Sequence, residues 1–425
     1  MASILPLIFL RICMKWLLDL LHALTLWLDS SATDATPPEV AWETFSTIQR
    51  SVLETIARQD NQTKYALDMR KDDTDDSPLG ELKHVADLTV TMESVLRIVA
   101  DPSGRRFVAK FVSDCRARHH GIKGDSPLVE YSFQAALNDT GLAPKVYFLS
   151  PPSPIVPGFP MKARSGLMIA NGDHCIALKA EVRMIVMEIV GRSVEAYLEW
   201  LRGRLGSDVA YFRAVMRIAL KTLALIESLH SRGVIHGDIH GRNIVFREVK
   251  PMREYNLETD ELILIDFGMA SFFPDQLMSP EDVTCDFDAN PLMMTPWQLL
   301  NKRYGRRDDL YKMLDFVASF LSDGELDAAI EEHLVRSNPI LAAPYTRAAI
   351  KKACLRYRSR YSLFMPNEFF KSGCCVAMGL NGRRLREVQI DMETLVDRVR
   401  AIARPDDEPD YAFLSGALAD ILTSI

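Results

Sequence analysis

No two of the seven cysteines (Cys13, Cys115, Cys175, Cys285, Cys354, Cys374, Cys375) are spaced as C-x-x-C, and their number is odd. That argues against a disulfide framework and against a zinc site. Excess positive charge is also missing. The formal net charge is -7 and the pI about 5.8, so nucleic acid is not expected as a partner. No segment repeats. What is present is a chain of 425 residues, 48% hydrophobic and 25% charged. This is the balance of a globular protein able to bury a large core in two lobes or domains.

Residues 1–35 stand apart. "WLLDLLHALTLWL" (16–28) follows Arg11 and Lys15 and precedes "DSSA", the outline of a secretory signal. Asp19 and His22 interrupt it, however. At about 100° per residue, Arg11, Lys15, Asp19, His22 and Asp29 fall within one arc of about 80°, the mark of an amphipathic helix. The run is too short and too charged to span a bilayer comfortably. Both readings stay open. The protein is therefore expected either in the cytoplasm or at a membrane through residues 1–30, or in the secretory pathway.

Residues 36–79 begin with "PPEVAWETFSTIQRSVLETIARQ", which has helical spacing, and end in an acidic loop, "RKDDTDDSPLG". From residue 80 to 190 the pattern is β-rich, with a "DPSGR" turn after "VLRIVA" and a strand "RFVAK" ending in Lys110. The helix "PLVEYSFQAAL" follows. A proline-rich stretch (151–161) reads as an inserted loop, the Asn171-Gly172 step as a hairpin turn, and "VRMIVMEIV" as a buried strand. Residues 191–404 are mostly helical, led by "YFRAVMRIALKTLALIESLHSRG", and residues 405–425 form a tail helix. "RARHHGIKG" (116–124) reads as a solvated loop, and Cys374-Cys375 as buried thiols.

Within the helical part, "HGDIHGRNIVF" (236–246) follows the long helix, and "LILIDFGMA" follows that loop as an apolar strand ending in Asp-Phe-Gly. Phosphoryl transfer from a nucleotide needs one carboxylate to orient the attacking hydroxyl and oxygen ligands to hold Mg²⁺ on the phosphates. Asp238, Asn243 and Asp266 supply that set. The spacing D-x-x-x-x-N puts Asp238 and Asn243 at two ends of one tight loop. Lys110 is suited to neutralise the non-transferred phosphates, and Glu130, on the following helix, is suited to hold it. Each motif alone is weak. Their order on suitable elements makes the set strong.

From about residue 80 to residue 400 the chain resembles the protein kinase superfamily. The resemblance implies an α+β, bilobal kinase-like fold with a small β-rich N-lobe and a larger helical C-lobe, binding ATP and Mg²⁺ and acting on a protein substrate as a monomer. It makes Lys110, Glu130, Asp238 and His240 the catalytic set, with Asn243 and Asp266 the metal ligands. Met187 becomes the gatekeeper and Glu188–Val190 the adenine-binding edge. "MTPWQLLNKRYGRRDDLYKML" is similar to the end of the activation segment and the central helix of casein kinase 1 and vaccinia-related kinases. By that similarity Asp309 anchors the catalytic loop's backbone from below.

Departures from the family accompany these matches. "LTVTMESV", where a glycine-rich loop belongs, contains no glycine, which implies a different lid over the phosphates. His236-Gly237-Asp238 lacks the arginine that would clamp a phosphorylated activation loop. His240 stands where a lysine is usual, placed to support charge developing on the transferred phosphate, and Gln298 replaces a glutamate that normally pairs with an arginine. "HGDIHGRN" also resembles aminoglycoside and choline phosphotransferases. The expected activity is that of a serine/threonine protein kinase. A pseudokinase scaffold with impaired nucleotide binding and a small-molecule phosphotransferase are the alternatives.

Overall fold

A computed structural model describes residues 82–90, 94–113, 127–150, 182–204, 208–272, 294–300, 305–321, 354–355, 382–402 and 407–424. The segments 1–79, the loop 116–124, the stretch 151–161, the Asn171-Gly172 step and Cys374-Cys375 lie outside them. The described residues form two compact units. One comprises those up to Ile189 with Phe267–Ala270, and the other Val190–Asp266 with those from Ser271 on.

The first unit is built on an antiparallel sheet in the order β1-β2-β3-β5-β4, formed by β1 (Lys83–Val90), β2 (Ser94–Ala100), β3 (Arg106–Ser113), β4 (Val146–Leu149) and β5 (Val182–Met187). Alternation decides which side chains face where. Val95, Val99, Phe107, Ala109, Phe111 and Val186 bury one face. Val108, Val146, Leu149, Ile185 and Met187 bury the other, each large apolar side chain contributing about 1.5–3 kcal/mol. On that second face lies α1 (Pro127–Ala136), which turns Leu128, Tyr131 and Ala135 onto it. Between β2 and β3, Oδ1 of Asp101 accepts from the N–H groups of Ser103 and Arg105 and from the Ser103 hydroxyl, closing the "DPSGR" turn.

Two boundaries correct the sequence reading. Lys110 lies mid-strand, because β3 runs on through Phe111 and Val112, which pair with Met184 and Arg183. The apolar run "VRMIVMEIV" leaves the sheet after Met187. The next residue, Glu188, is still held to Lys145, whose carbonyl accepts from Glu188 N–H and whose own N–H donates to Oε2 of Glu188.

The second unit is mainly helical: α2 (Val194–Arg202), α3 (Asp208–His230), a short α4 (Pro296–Leu299), α5 (Arg306–Leu321), α6 (Gly382–Arg400) and α7 (Tyr411–Ser424). Phe212, Val215, Met216, Ala219, Leu223, Ile226 and Leu229 recur on α3 at helical spacing and are buried. Two small antiparallel pairs frame the loop after α3. They are β6 (Val234–Ile235) with β9 (Ser271–Phe272), and β7 (Ile244–Phe246) with β8 (Leu262–Leu264). The expected apolar strand before Asp-Phe-Gly thus stops at Leu264. At Gly191 the backbone N–H donates to Phe246 O, and a Cβ there would stand 2.3 Å from Glu248 O, so only glycine fits.

Candidate active site

In the first unit, β3 alternation puts Lys110 on the same face as Val108, the face that α1 covers. Nζ of Lys110 lies 2.8 and 2.9 Å from the two carboxylate oxygens of Glu130. Both side chains are buried. Such a pair is rigid, and removing one partner leaves an uncompensated charge at a cost of about 3–5 kcal/mol. Met187 is buried at the end of β5, paired with Val108 and Val146. Glu188 and Val190 are half-buried beyond the strand.

In the second unit, the loop between β6 and β7 hangs from Asp309 on α5. Its Oδ2 accepts from His236 N–H at 2.8 Å and its Oδ1 from Gly237 N–H at 3.0 Å, so two loop amides are fixed by one fully buried carboxylate. Gly237 has φ 86°, in the left-handed region, where a side chain is strained and glycine is not. This gives the missing arginine of "HGD" a backbone reason. His236 is fully buried, and burial pushes its pKa down, keeping the ring neutral. Nε2–H donates to Ile265 O at 3.0 Å while Nδ1 accepts from Asp238 N–H at 3.2 Å.

Three donors converge on the Asp238 carboxylate. His240 Nε2 is 3.2 Å and Asn243 Nδ2 3.1 Å from its Oδ2, and Lys312 Nζ is 3.3 Å from its Oδ1. Partial burial raises its pKa, but the His240 hydrogen bond and the charge of Lys312 outweigh that and hold it far below the usual carboxylate range. The carboxylate is ionised and oriented. Asn243 Nδ2 donates also to the main-chain O of Asp238 at 3.0 Å, which turns its Oδ1 away from Asp238. His240 Nδ1 accepts from Arg242 N–H, so Nε2 carries the proton it donates.

Asp266 follows β8 with φ 66°, the only non-glycine in the left-handed region among the described residues. Strain of this kind persists where surrounding structure holds it, and it gathers at functional sites. Among the described residues no cluster of three or more His, Cys, Asp or Glu is placed to hold a metal. An amide oxygen and one carboxylate nevertheless suit Mg²⁺, which takes few protein oxygens beside water and substrate phosphates.

Sequence reasoning missed two residues here and the local bonding of a third. Lys312, in "DDLYKML", has a role in none of the motifs and is buried. His230 donates from Nε2 to Asp309 Oδ2 at 3.0 Å and accepts at Nδ1 from Tyr411 of α7. A histidine at the end of an apolar helix was the only available signal. Gln298, read as a lost ion-pair partner, closes a capping box instead: Thr295 Oγ1 accepts from Gln298 N–H, and Gln298 Oε1 accepts from Thr295 N–H.

The α+β composition and the geometry of this loop are compatible with a kinase-like fold, and the comparisons with known proteins point the same way. The chain is similar to Calcium-dependent protein kinase 2 of Arabidopsis thaliana, 31% identical over 100 residues, covering 23% of this chain and 13% of the relative. It is similar to B1 kinase of Vaccinia virus (strain Western Reserve), 29% identical over 97 residues, covering 23% and 28%. Casein kinase I homolog 2 of Schizosaccharomyces pombe is 22% identical over 246 residues, covering 56% of this chain and 46% of the relative. The matches thus span less than half the length of each of these relatives, and they support the protein kinase superfamily at that general level. No protein-family model matches the chain.

Proposed function

We propose that the chain is an ATP- and Mg²⁺-dependent serine/threonine protein kinase that transfers the γ-phosphate to a protein hydroxyl. Asp238 orients the attacking hydroxyl, a task that needs an ionised, fixed carboxylate. Lys110, steered by Glu130, binds the non-transferred phosphates. Asn243 and Asp266 hold Mg²⁺, which when bound neutralises charge on the phosphates. His240 donates toward charge developing on the transferred group, and Glu188–Val190 offer the adenine its backbone edge. The observation that carries the reading is the convergence of three donors on Asp238 in a loop suspended from Asp309.

Two of the relatives' names, a calcium-dependent protein kinase and a casein kinase homolog, favour a protein over a small molecule as substrate. The test is incubation with γ-labelled ATP and Mg²⁺. Label is expected on serine or threonine of an acidic protein such as casein, or of the chain itself, and not on aminoglycosides or choline. Good turnover of the small molecules would replace this reading with the phosphotransferase one. Nucleotide binding without any transfer would replace it with the scaffold one.

A further inference from the structure

Gly237 is gripped by one helix on both of its backbone groups. Its N–H goes to Oδ1 of Asp309 at 3.0 Å, and its C=O accepts from Nζ of Lys312 at 2.9 Å. Asp309 and Lys312 are three residues apart on α5, hence on one face. The same Nζ reaches Oδ1 of Asp238 at 3.3 Å. Lys312 is 6% exposed. A buried ammonium has a high desolvation cost and persists only where fixed acceptors meet it; here those acceptors are the loop's carbonyl and its carboxylate.

The loop itself has no permanent cation directed at Asp238. Gly237 and Gly241 have no side chain, and Ile239 is apolar and buried. Arg242 is the loop's one arginine. Its side chain is 67% exposed, and its Nε lies 3.5 Å from Glu195 Oε2. His240 contributes an N–H donor rather than a fixed charge. The permanent positive charge beside Asp238 therefore comes from a different element, far along the chain.

We propose that Lys312 is a positioning residue of the phosphoryl-transfer site: from α5 it holds the Gly237 carbonyl and the Asp238 carboxylate in one orientation and supplies the cation that the loop lacks. The role rests on the reading of Asp238 given above. It acts on the placement of the carboxylate and not on nucleotide binding, so it belongs in kcat and not in KM for ATP. Misplacing a catalytic group by about 1 Å costs on the order of 10²-fold in rate.

The test compares Lys312→Met, Lys312→Gln and Lys312→Arg in the full chain. Two readouts are taken: steady-state phosphorylation of a casein-like protein, and amide hydrogen exchange by mass spectrometry over residues 236–246. Lys312→Met is expected to lower kcat about 10²-fold, with KM for ATP within about twofold of wild type, and Lys312→Arg to recover most of the loss. Exchange is expected to quicken in the loop of the Met variant while α3 stays protected. Should Met fail to fold, Gln removes the charge while keeping an N–H donor, and the same split is expected of it. Unchanged kcat, or a loss confined to KM, overturns the proposal. A wild-type chain that transfers no phosphate refutes the kinase reading instead, and the exchange readout then decides alone. Loop exchange unaltered by Met and Gln overturns the clamp. Exchange that quickens only in the loop and is restored by Arg upholds it.

Discussion

Tyr411 donates its hydroxyl proton to Nδ1 of His230 across 2.5 Å, and the opposite edge of that ring donates to Asp309, the residue from which the loop between β6 and β7 hangs. Burial lowers the His230 pKa, so the ring is neutral and has one donor and one acceptor to satisfy. Both are used. The C-terminal helix is thereby tied to the loop through buried groups only. Tyr411→Phe removes this hydroxyl donor from the buried Nδ1 of His230 and is expected to lower the unfolding free energy by about 1–3 kcal/mol. Chemical denaturation checks this. A midpoint equal to that of the wild type would mean the hydroxyl contributes nothing there.

Gln134 on α1 makes the opposite case. Its side chain is fully buried, and among the described residues neither its amide nitrogen nor its oxygen has a hydrogen-bond partner. A buried, unpaired amide costs about 1–3 kcal/mol, and leucine has nearly the same volume. Gln134→Leu should raise the thermal midpoint. A lower midpoint would imply that the amide does work the geometry does not reveal.

The buried Lys110–Glu130 pair separates binding from stability. Lys110→Met should weaken ATP binding by roughly 10-fold or more, since a hydrogen bond to a charged group is worth about 1.5–3 kcal/mol, and should also destabilise the fold by removing the cation beside the buried Glu130. Lys110→Met/Glu130→Leu should recover stability without recovering binding, because an apolar pair can replace a buried ion pair at little cost. Titration calorimetry with and without Mg²⁺ measures the first effect and thermal unfolding the second. Tight, metal-independent binding that survives Lys110→Met would contradict the assigned phosphate contact.

A pH dependence follows from Asp308. Burial pushes its carboxyl up to about 7 from an ordinary 3.8, although the Thr295 hydroxyl and Gly305 N–H bond to it. A raised pKa means that the folded state holds a proton the unfolded state has lost. The contribution to stability is then fully present below about 3.8, declines as pH rises, and is gone above about 7. Relative to Asp308→Asn, which has no such proton, the wild type should lose stability between those two values. Parallel stability curves for the two proteins would contradict the shift.

What the sequence revealed of this architecture was what lies close along the chain or carries a strong periodicity. Alternation in "VLRIVA" and "RFVAKFV" announced strands, and the apolar spacing of "YFRAVMRIALKTLALIESLH" announced the long helix α3. Asp238 and Asn243 are five residues apart, and their contact is local. Contacts made by packing were not legible. His230 and Tyr411 are 181 residues apart, and neither belongs to a motif. Lys312 sits 74 residues beyond Asp238 in a charged segment where a lysine ordinarily faces water. Gly237 could be read as a lost arginine, but its positive φ appears only once the loop is folded onto Asp309.

The most direct test of the central claim is single-turnover transfer of the ATP γ-phosphate by Asp238→Asn beside the wild type, with nucleotide binding measured on both. Asparagine keeps the shape of the side chain but removes the carboxylate, while Asn243, Asp266 and Lys110 are untouched. The expected result is binding within about twofold of wild type and transfer slowed on the order of 10² to 10⁴-fold, the range for a positioned acid–base group. Transfer at the wild-type rate would show that Asp238 does not orient the hydroxyl.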